Sequence, residues 1–165
     1  MTQYDRRTVL RAAGATALGV SLAGCSGGGG GGGTEDGSGG GGGGDDGPEP
    51  VDEEPSYDGW FDDVGNYEST LDYTDADEVT VAVGAGNGLQ FEPPAIQVAA
   101  GTTVVWEWTG EGGEHNVAAE DDSFESDLSS EEGYTFEQTF EESGVHKYAC
   151  TPHRASGMKG AVVVE

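Results

Sequence analysis

Basic residues are scarce in this sequence. Six Lys and Arg stand against 32 Asp and Glu in 165 residues, a formal charge of −26. Three of the six, Arg6, Arg7 and Arg11, fall in the first eleven positions. Nucleic acid is thereby excluded as a partner, because phosphate recognition needs clustered Lys and Arg. Cysteine is as sparse: Cys25 and Cys150 permit at most one disulfide and no cross-linked scaffold. The uncharged N-terminal stretch Ala12–Gly24 is too short for a helical membrane span, which takes about 20 residues. Glycine is abundant but unevenly placed, with 15 of 31 lying between Gly27 and Gly47. Such a segment buries too little apolar surface to offset its ordering entropy. The foldable part is therefore one domain of about 90–115 residues, and a large enzyme with a cleft between domains is excluded.

The first 24 residues read as an address. Arg6-Arg7 precedes an apolar stretch of signal-peptide length, and the pair resembles a Tat export signal. Leu22-Ala23-Gly24-Cys25 looks like a lipobox, whose small residues admit a peptidase and leave Cys25 as the lipid attachment site. One lipid arm binds a membrane only marginally, so further acylation or contacts are expected to help. Residues 25–55 read as a disordered Gly-rich, acidic linker with a root-mean-square span of about 30 Å. Neither glycine run leads into a GK[ST] sequence, so no phosphate loop is hidden there. Without residues 1–24 the chain keeps three positive and 31 negative charges, or −28. That surface repels itself at low salt, whereas in molar salt the Debye length falls to about 3 Å and screens it.

From about residue 78 the chain reads as short strands between turns. Val79, Val81 and Val83 alternate, as do Val104, Trp106 and Trp108; Tyr134, Phe136 and Phe140 share a further face. Val145–Cys150 and Ala161–Val164 complete the series, with Ala95–Val98 and His115–Ala118 weaker. The pattern predicts an antiparallel sandwich or barrel with no helix of note. Residues 56–77 hold Trp60, Phe61 and Tyr67 without a period, and form an N-terminal extension of unassigned packing.

The chemistry concentrates in Cys150-Thr-Pro-His153-Arg-Ala-Ser-Gly-Met158, with His115 far upstream. A thiolate, two imidazoles and a thioether make the His₂Cys set with a weak axial Met that marks blue copper. Pro152 stiffens the loop and Gly157 lets it turn beside Met158. Zinc is the competing metal, since Cys and His bind it well, but zinc sites rarely use thioether and usually recruit a second thiolate or a carboxylate. His146 is not a third nitrogen donor: on an extended strand it lies about 13 Å from Cys150, and it reads as a partly buried core residue.

The C-x₂-H-x₄-M spacing after a strand, with His115-Asn116 upstream, resembles the plastocyanin-type cupredoxins. The signal, the lipobox, the acidic bias and Tyr57-Asp-Gly-Trp-Phe-Asp-Asp-Val-Gly-Asn-Tyr67 resemble more narrowly the halocyanins of extreme halophiles. The resemblance covers residues 78–165, and the narrower one extends from residue 57. It implies an all-β, cupredoxin-type Greek-key β-sandwich of eight strands, with one copper ion cycling between Cu(I) and Cu(II). It places His115, Cys150, His153 and Met158 on the four ligand positions. Asn116 falls where an Asn helps hold the ligand loops together. Ala149 stands where plastocyanins often carry an exposed tyrosine, and Glu114 where a proline often precedes the histidine. A disulfide between a lipidated Cys25 and a metal-binding Cys150 is not expected.

The function implied is a lipid-anchored, type 1 (blue) copper protein at the outer face of the cytoplasmic membrane. It would pass single electrons between transient redox partners and, given its charge, act as a monomer. Copper oxidases and nitrite reductases need further histidine-rich centres, often His-x-His; three histidines and no such pair argue against an enzyme. The alternative is copper storage or delivery, which calls for an exposed, labile site usually richer in Met or His.

Overall fold

The computed structural model describes residues 47–165. Arg6, Arg7, Cys25 and the glycine tract as far as residue 46 lie outside the described residues. Among the described residues no helix is long and apolar enough to cross a membrane.

Among the described residues, nine strands form two sheets. β1 (Leu71–Asp72), β4 (Ala95–Val98), β9 (Lys159–Val164), β8 (Gly144–Ala149) and β6 (Ala118–Ala119) lie in that order in one sheet. β3 (Gln90–Glu92), β2 (Glu78–Ala85), β5 (Thr103–Trp108) and β7 (Thr135–Thr139) make the other. The eight strands implied for residues 78–165 are present, and β1 is added by the extension. Alternation drives the packing: Val79, Val81 and Val83 of β2 meet Val104, Trp106 and Trp108 of β5 in the interior, all nearly inaccessible. Trp106 of one sheet reaches Tyr148 of the other, their ring centroids 5.2 Å apart.

The purely antiparallel expectation is corrected. β2 pairs with β5 in parallel, Glu78 opposite Thr103 through Val83 opposite Trp108. β4 also runs parallel to β1 and to β9. Hydrophobic alternation encodes which face is buried but carries no strand direction. Direction here follows from the chain leaving β2 and β3, crossing to the other sheet as β4, and returning as β5 beside β2.

The N-terminal extension packs on the outer face of the first sheet. Tyr57, Trp60, Phe61 and Val64 are buried against Ala95, Ala149, Ala161 and Val163. The segment is a chain of tight turns, Trp60 N–H to Tyr57 C=O (3.1 Å) and Val64 N–H to Phe61 C=O (3.0 Å). Phe61 stacks on Tyr67 at 4.1 Å. With this lobe in place the sheet is covered on both sides, which is why β9 is apolar at consecutive positions and Val162 and Val163 are both buried.

The linker boundary at residue 55 is also corrected. Asp72 N–H donates to Glu49 C=O (2.8 Å) and Val51 N–H to Thr70 C=O (2.9 Å). The Glu54 carboxylate accepts from the Thr70 N–H (2.6 Å) and hydroxyl (2.8 Å). Proline and acid in residues 47–55 signal a linker by composition, whereas the pairing uses mainly backbone groups, which composition does not report.

Candidate metal centre

The site lies where two connections meet at one end of the sandwich. Cys150 follows β8 in extended conformation and caps a 3₁₀ turn over Thr151–Ser156, with Pro152 in its first positions. Gly157 closes the turn, and Met158 leads into β9. Cys150 N–H donates to Met158 C=O (3.1 Å), and Met158 N–H to His153 C=O (3.3 Å), so the loop is bonded back on itself. His115 sits in the connection from β5 to β6. Its main chain exchanges two 2.9 Å bonds with Ser129, and its carbonyl accepts from the Trp108 indole.

Three donor atoms converge. Cys150 Sγ lies 3.6 Å from His115 Nδ1 and 3.4 Å from His153 Nδ1, and the two nitrogens are 3.1 Å apart. A triangle of those sides has its centre about 2.0 Å from every corner, close to the 2.0–2.3 Å of metal–nitrogen and metal–sulfur bonds. The residues present therefore fit a single transition-metal ion. Cys150 and Met158 are fully buried, His115 is 1 % exposed, and His153 alone of the four is half-buried.

Hydrogen bonding selects the tautomer. His115 Nε2 lies 2.8 Å from the Glu111 carbonyl, an acceptor only, so Nε2 carries the proton and Nδ1 turns its lone pair to the cluster. Burial pushes the His115 imidazolium below its ordinary 6.5, and the neighbouring His153 adds to this against the Glu111 bond. Burial pushes the Cys150 thiol up, opposed by the main-chain N–H groups of Asn116 and His153. A metal cation at the centre supplies the charge that holds a thiolate there. The His115 shift has a sign that can be checked. A lowered base contributes full stability above its unfolded value and loses it as pH falls through the folded value. In the metal-free protein, the His115 ring followed by NMR is expected to titrate with a midpoint below 6.5; a midpoint above it would mean that burial does not govern this ring.

Asn116 ties the two connections together. Its Oδ1 accepts from the Thr151 N–H (2.8 Å) and its Nδ2 donates to Thr151 Oγ1 (3.1 Å). Asn116→Ala is expected to weaken metal affinity about 10–100-fold, the usual effect of losing an outer partner, while the fold persists. Competition against a chelator measures it, and an unchanged affinity would show that the loops are held by other means. Thr151 had no local signal in the sequence, because its partner lies on the other connection. His146 behaves as a structural residue: it packs on Phe140 at 5.0 Å, and its Nε2 lies 3.1 Å from the Glu142 carbonyl. Among the described residues, the one grouping of His, Cys, Asp or Glu spaced for a metal is His115, Cys150 and His153.

A two-sheet sandwich with buried Cys, two imidazoles and Met at one end defines a blue copper protein of the cupredoxin class. Residues 77–165 match the model of copper binding proteins of the plastocyanin/azurin family. The chain belongs to that family. It is 52% identical to the halocyanin of Natronomonas pharaonis over 172 aligned positions, covering all of both chains. It is 33% identical to the plastocyanin of Scenedesmus fuscus over 99 positions, covering 53% of this chain and all of that protein. Among solved structures, a purple cupredoxin from Nitrosopumilus maritimus aligns at 29% identity with a TM-score of 0.46, covering 53% of this chain and 99% of the other.

Proposed function

We propose that this protein is a one-electron carrier that holds one copper ion with His115, Cys150, His153 and Met158. The observation that carries the reading is the triangle of Cys150 Sγ and two Nδ1 atoms, sized for one metal ion. Copper bound there would supply the Cu(I)/Cu(II) couple. The chain's own residues do the rest. His115 and Cys150 are fixed by main-chain bonds, so the donor set is held with little freedom to rearrange. Met158, buried beside them, fits the place of the weak thioether ligand. His153 is the donor nearest solvent, with exposed Pro152 and Leu128 close to that end. Electron exchange through the His153 edge suits brief encounters over a small interface with redox partners. Ala149 offers no second route, since it is buried beneath the extension.

Tethering belongs to the same proposal. Arg6-Arg7 and the Leu22–Cys25 lipobox support export and lipid attachment at Cys25, which would leave the domain at the outer face of the cytoplasmic membrane. The glycine-rich stretch then supplies reach between lipid and domain.

Titration of the purified protein with Cu(II) in molar salt tests the metal reading. The expected result is an intense blue absorption, bleached by ascorbate and restored by an oxidant. A colourless protein that retains zinc instead would overturn it.

A further inference from the structure

We propose that the turn segment 57–64, acting through Trp60, is a clamp that positions the loop carrying His153 and Met158. The inference rests on those two residues being metal ligands, but the clamp itself stands on packing that is independent of the ion.

The placement of charge draws attention to it. The described residues contain three cations, Lys147, Arg154 and Lys159, in a chain with 32 acids. All three gather on the ring of Trp60: Arg154 Cζ lies 4.9 Å from the ring centroid, Lys159 Nζ 5.2 Å and Lys147 Nζ 5.9 Å. Each comes from a segment that builds the metal site. Arg154 follows His153, Lys159 follows Met158, and Lys147 lies on β8 shortly before Cys150. Cations over an indole face are attracted by its quadrupole, the more so when partly desolvated. The Lys159 side chain is only 14% exposed.

Directed bonds complete the attachment. The Trp60 indole N–H donates to the Gly160 carbonyl at 3.0 Å, in a buried setting. Lys159 donates to the Trp60 carbonyl at 3.4 Å and pairs with the Asp63 carboxylate. Lys147 donates to the Tyr57 carbonyl at 2.9 Å. Gly157, with φ +83°, lies so close to Asp63 that a Cβ there would run into the Asp63 carbonyl oxygen. Residues 154, 157, 159 and 160 are therefore all held by residues 60–64; Met158 sits between those anchor points, and His153 immediately precedes the first of them. The loop's internal main-chain bonds span 3.0–3.3 Å, the longest being Gly157 N–H to Arg154 C=O at 3.2 Å and Met158 N–H to His153 C=O at 3.3 Å. Outside the turn segment, Asn116 holds Thr151 and Glu120 pairs with exposed Arg154 at 2.8 Å, which leaves residues 157–160 to the clamp. A short 3₁₀ turn with such bonds opens readily unless something outside it holds it. Trp60 is thus a positioning residue that fixes the two candidate ligands relative to each other.

Two substitutions in the full-length protein test this. Trp60→Phe keeps a ring for the cations and removes the bond to Gly160, and Trp60→Leu removes both. In the metal-free state, amide hydrogen exchange at Gly157 and Met158 is expected to quicken about tenfold or more, in the order wild type, Phe, Leu, with the Trp106 amide of β5 unchanged. In the copper-loaded state, loss of copper to a Cu(I) chelator is expected to quicken by about tenfold or more, and the reduction potential to move from the wild-type value. Variants that lower thermal stability while leaving loop exchange, copper loss and potential at wild-type values would overturn the clamp and leave the lobe a cover. Should Trp60→Leu unfold, with β5 exchanging as fast as the loop, Trp60→Phe decides alone by the same criteria. A wild-type protein that takes up no copper would sink the carrier reading, yet the metal-free exchange would still judge the clamp.

Discussion

Cys150→Ser is expected to yield a folded protein that no longer turns blue with Cu(II). The sulfur is the only soft anionic donor in the cluster, and it lies within 3.6 Å of both imidazole nitrogens. A serine hydroxyl has nearly the same shape, but at neutral pH it is neither an anion nor a soft donor, so the intense charge-transfer absorption of a copper thiolate is lost. The fall in copper affinity is expected to exceed the roughly 10–100-fold cost of removing an outer partner such as Asn116. Stability of the metal-free protein should change little, because Cys150 is already a neutral group in a buried place whose thiol is pushed upward. Visible absorption, chelator competition and thermal unfolding read the three effects separately. A Cys150→Ser protein that keeps the blue band would remove Cys150 from the site and with it the assignment of the centre.

Trp106→Ala is expected to be the most damaging single change to the fold. The indole is inaccessible and meets Tyr148 at 5.2 Å, Phe124 and Phe136 at 5.7 Å and Phe140 at 6.3 Å, so it joins the two sheets through their middle. Removing a buried aromatic of this kind costs about 3–5 kcal/mol, since the lost transfer free energy is compounded by the cavity left behind. Against a typical domain stability of about 5–15 kcal/mol, that brings the protein near its unfolding threshold. The effect should be worst at low salt, where the acidic surface is unscreened. Denaturant unfolding in molar salt gives the difference directly. A loss within about 0.5 kcal/mol, as for ordinary surface substitutions, would place Trp106 outside the core.

Much of the fold was legible because it rests on short-range pattern. The period-two valines of β2, and Val104, Trp106 and Trp108 of β5, point inward wherever their strands are placed. Strand direction was not legible, and neither was β1 or β3. Leu71–Asp72 is too short to show a period, and it forms only because β4 offers an edge to pair with. How the extension of residues 56–77 packs was not legible for a related reason. Trp60, Phe61 and Val64 sit on successive turns rather than on a strand or helix, so their common burial has no sequence period.

For the site, residue types and loop spacing determined the chemistry from sequence alone. Cys150, His153 and Met158 belong to one short loop, so their proximity is a local property of the chain, and thiolate, imidazole and thioether together select a soft redox metal. Only the tertiary structure decided the rest. It brought His115 within 3.1 Å of His153 across two separate connections, set its tautomer through the Glu111 carbonyl, and locked the loops through Asn116 and Thr151. It also drew Lys147, Arg154 and Lys159 onto Trp60. Those contacts join residues far apart in the chain, and they depend on how the sheets stack rather than on any local preference of the residues that make them.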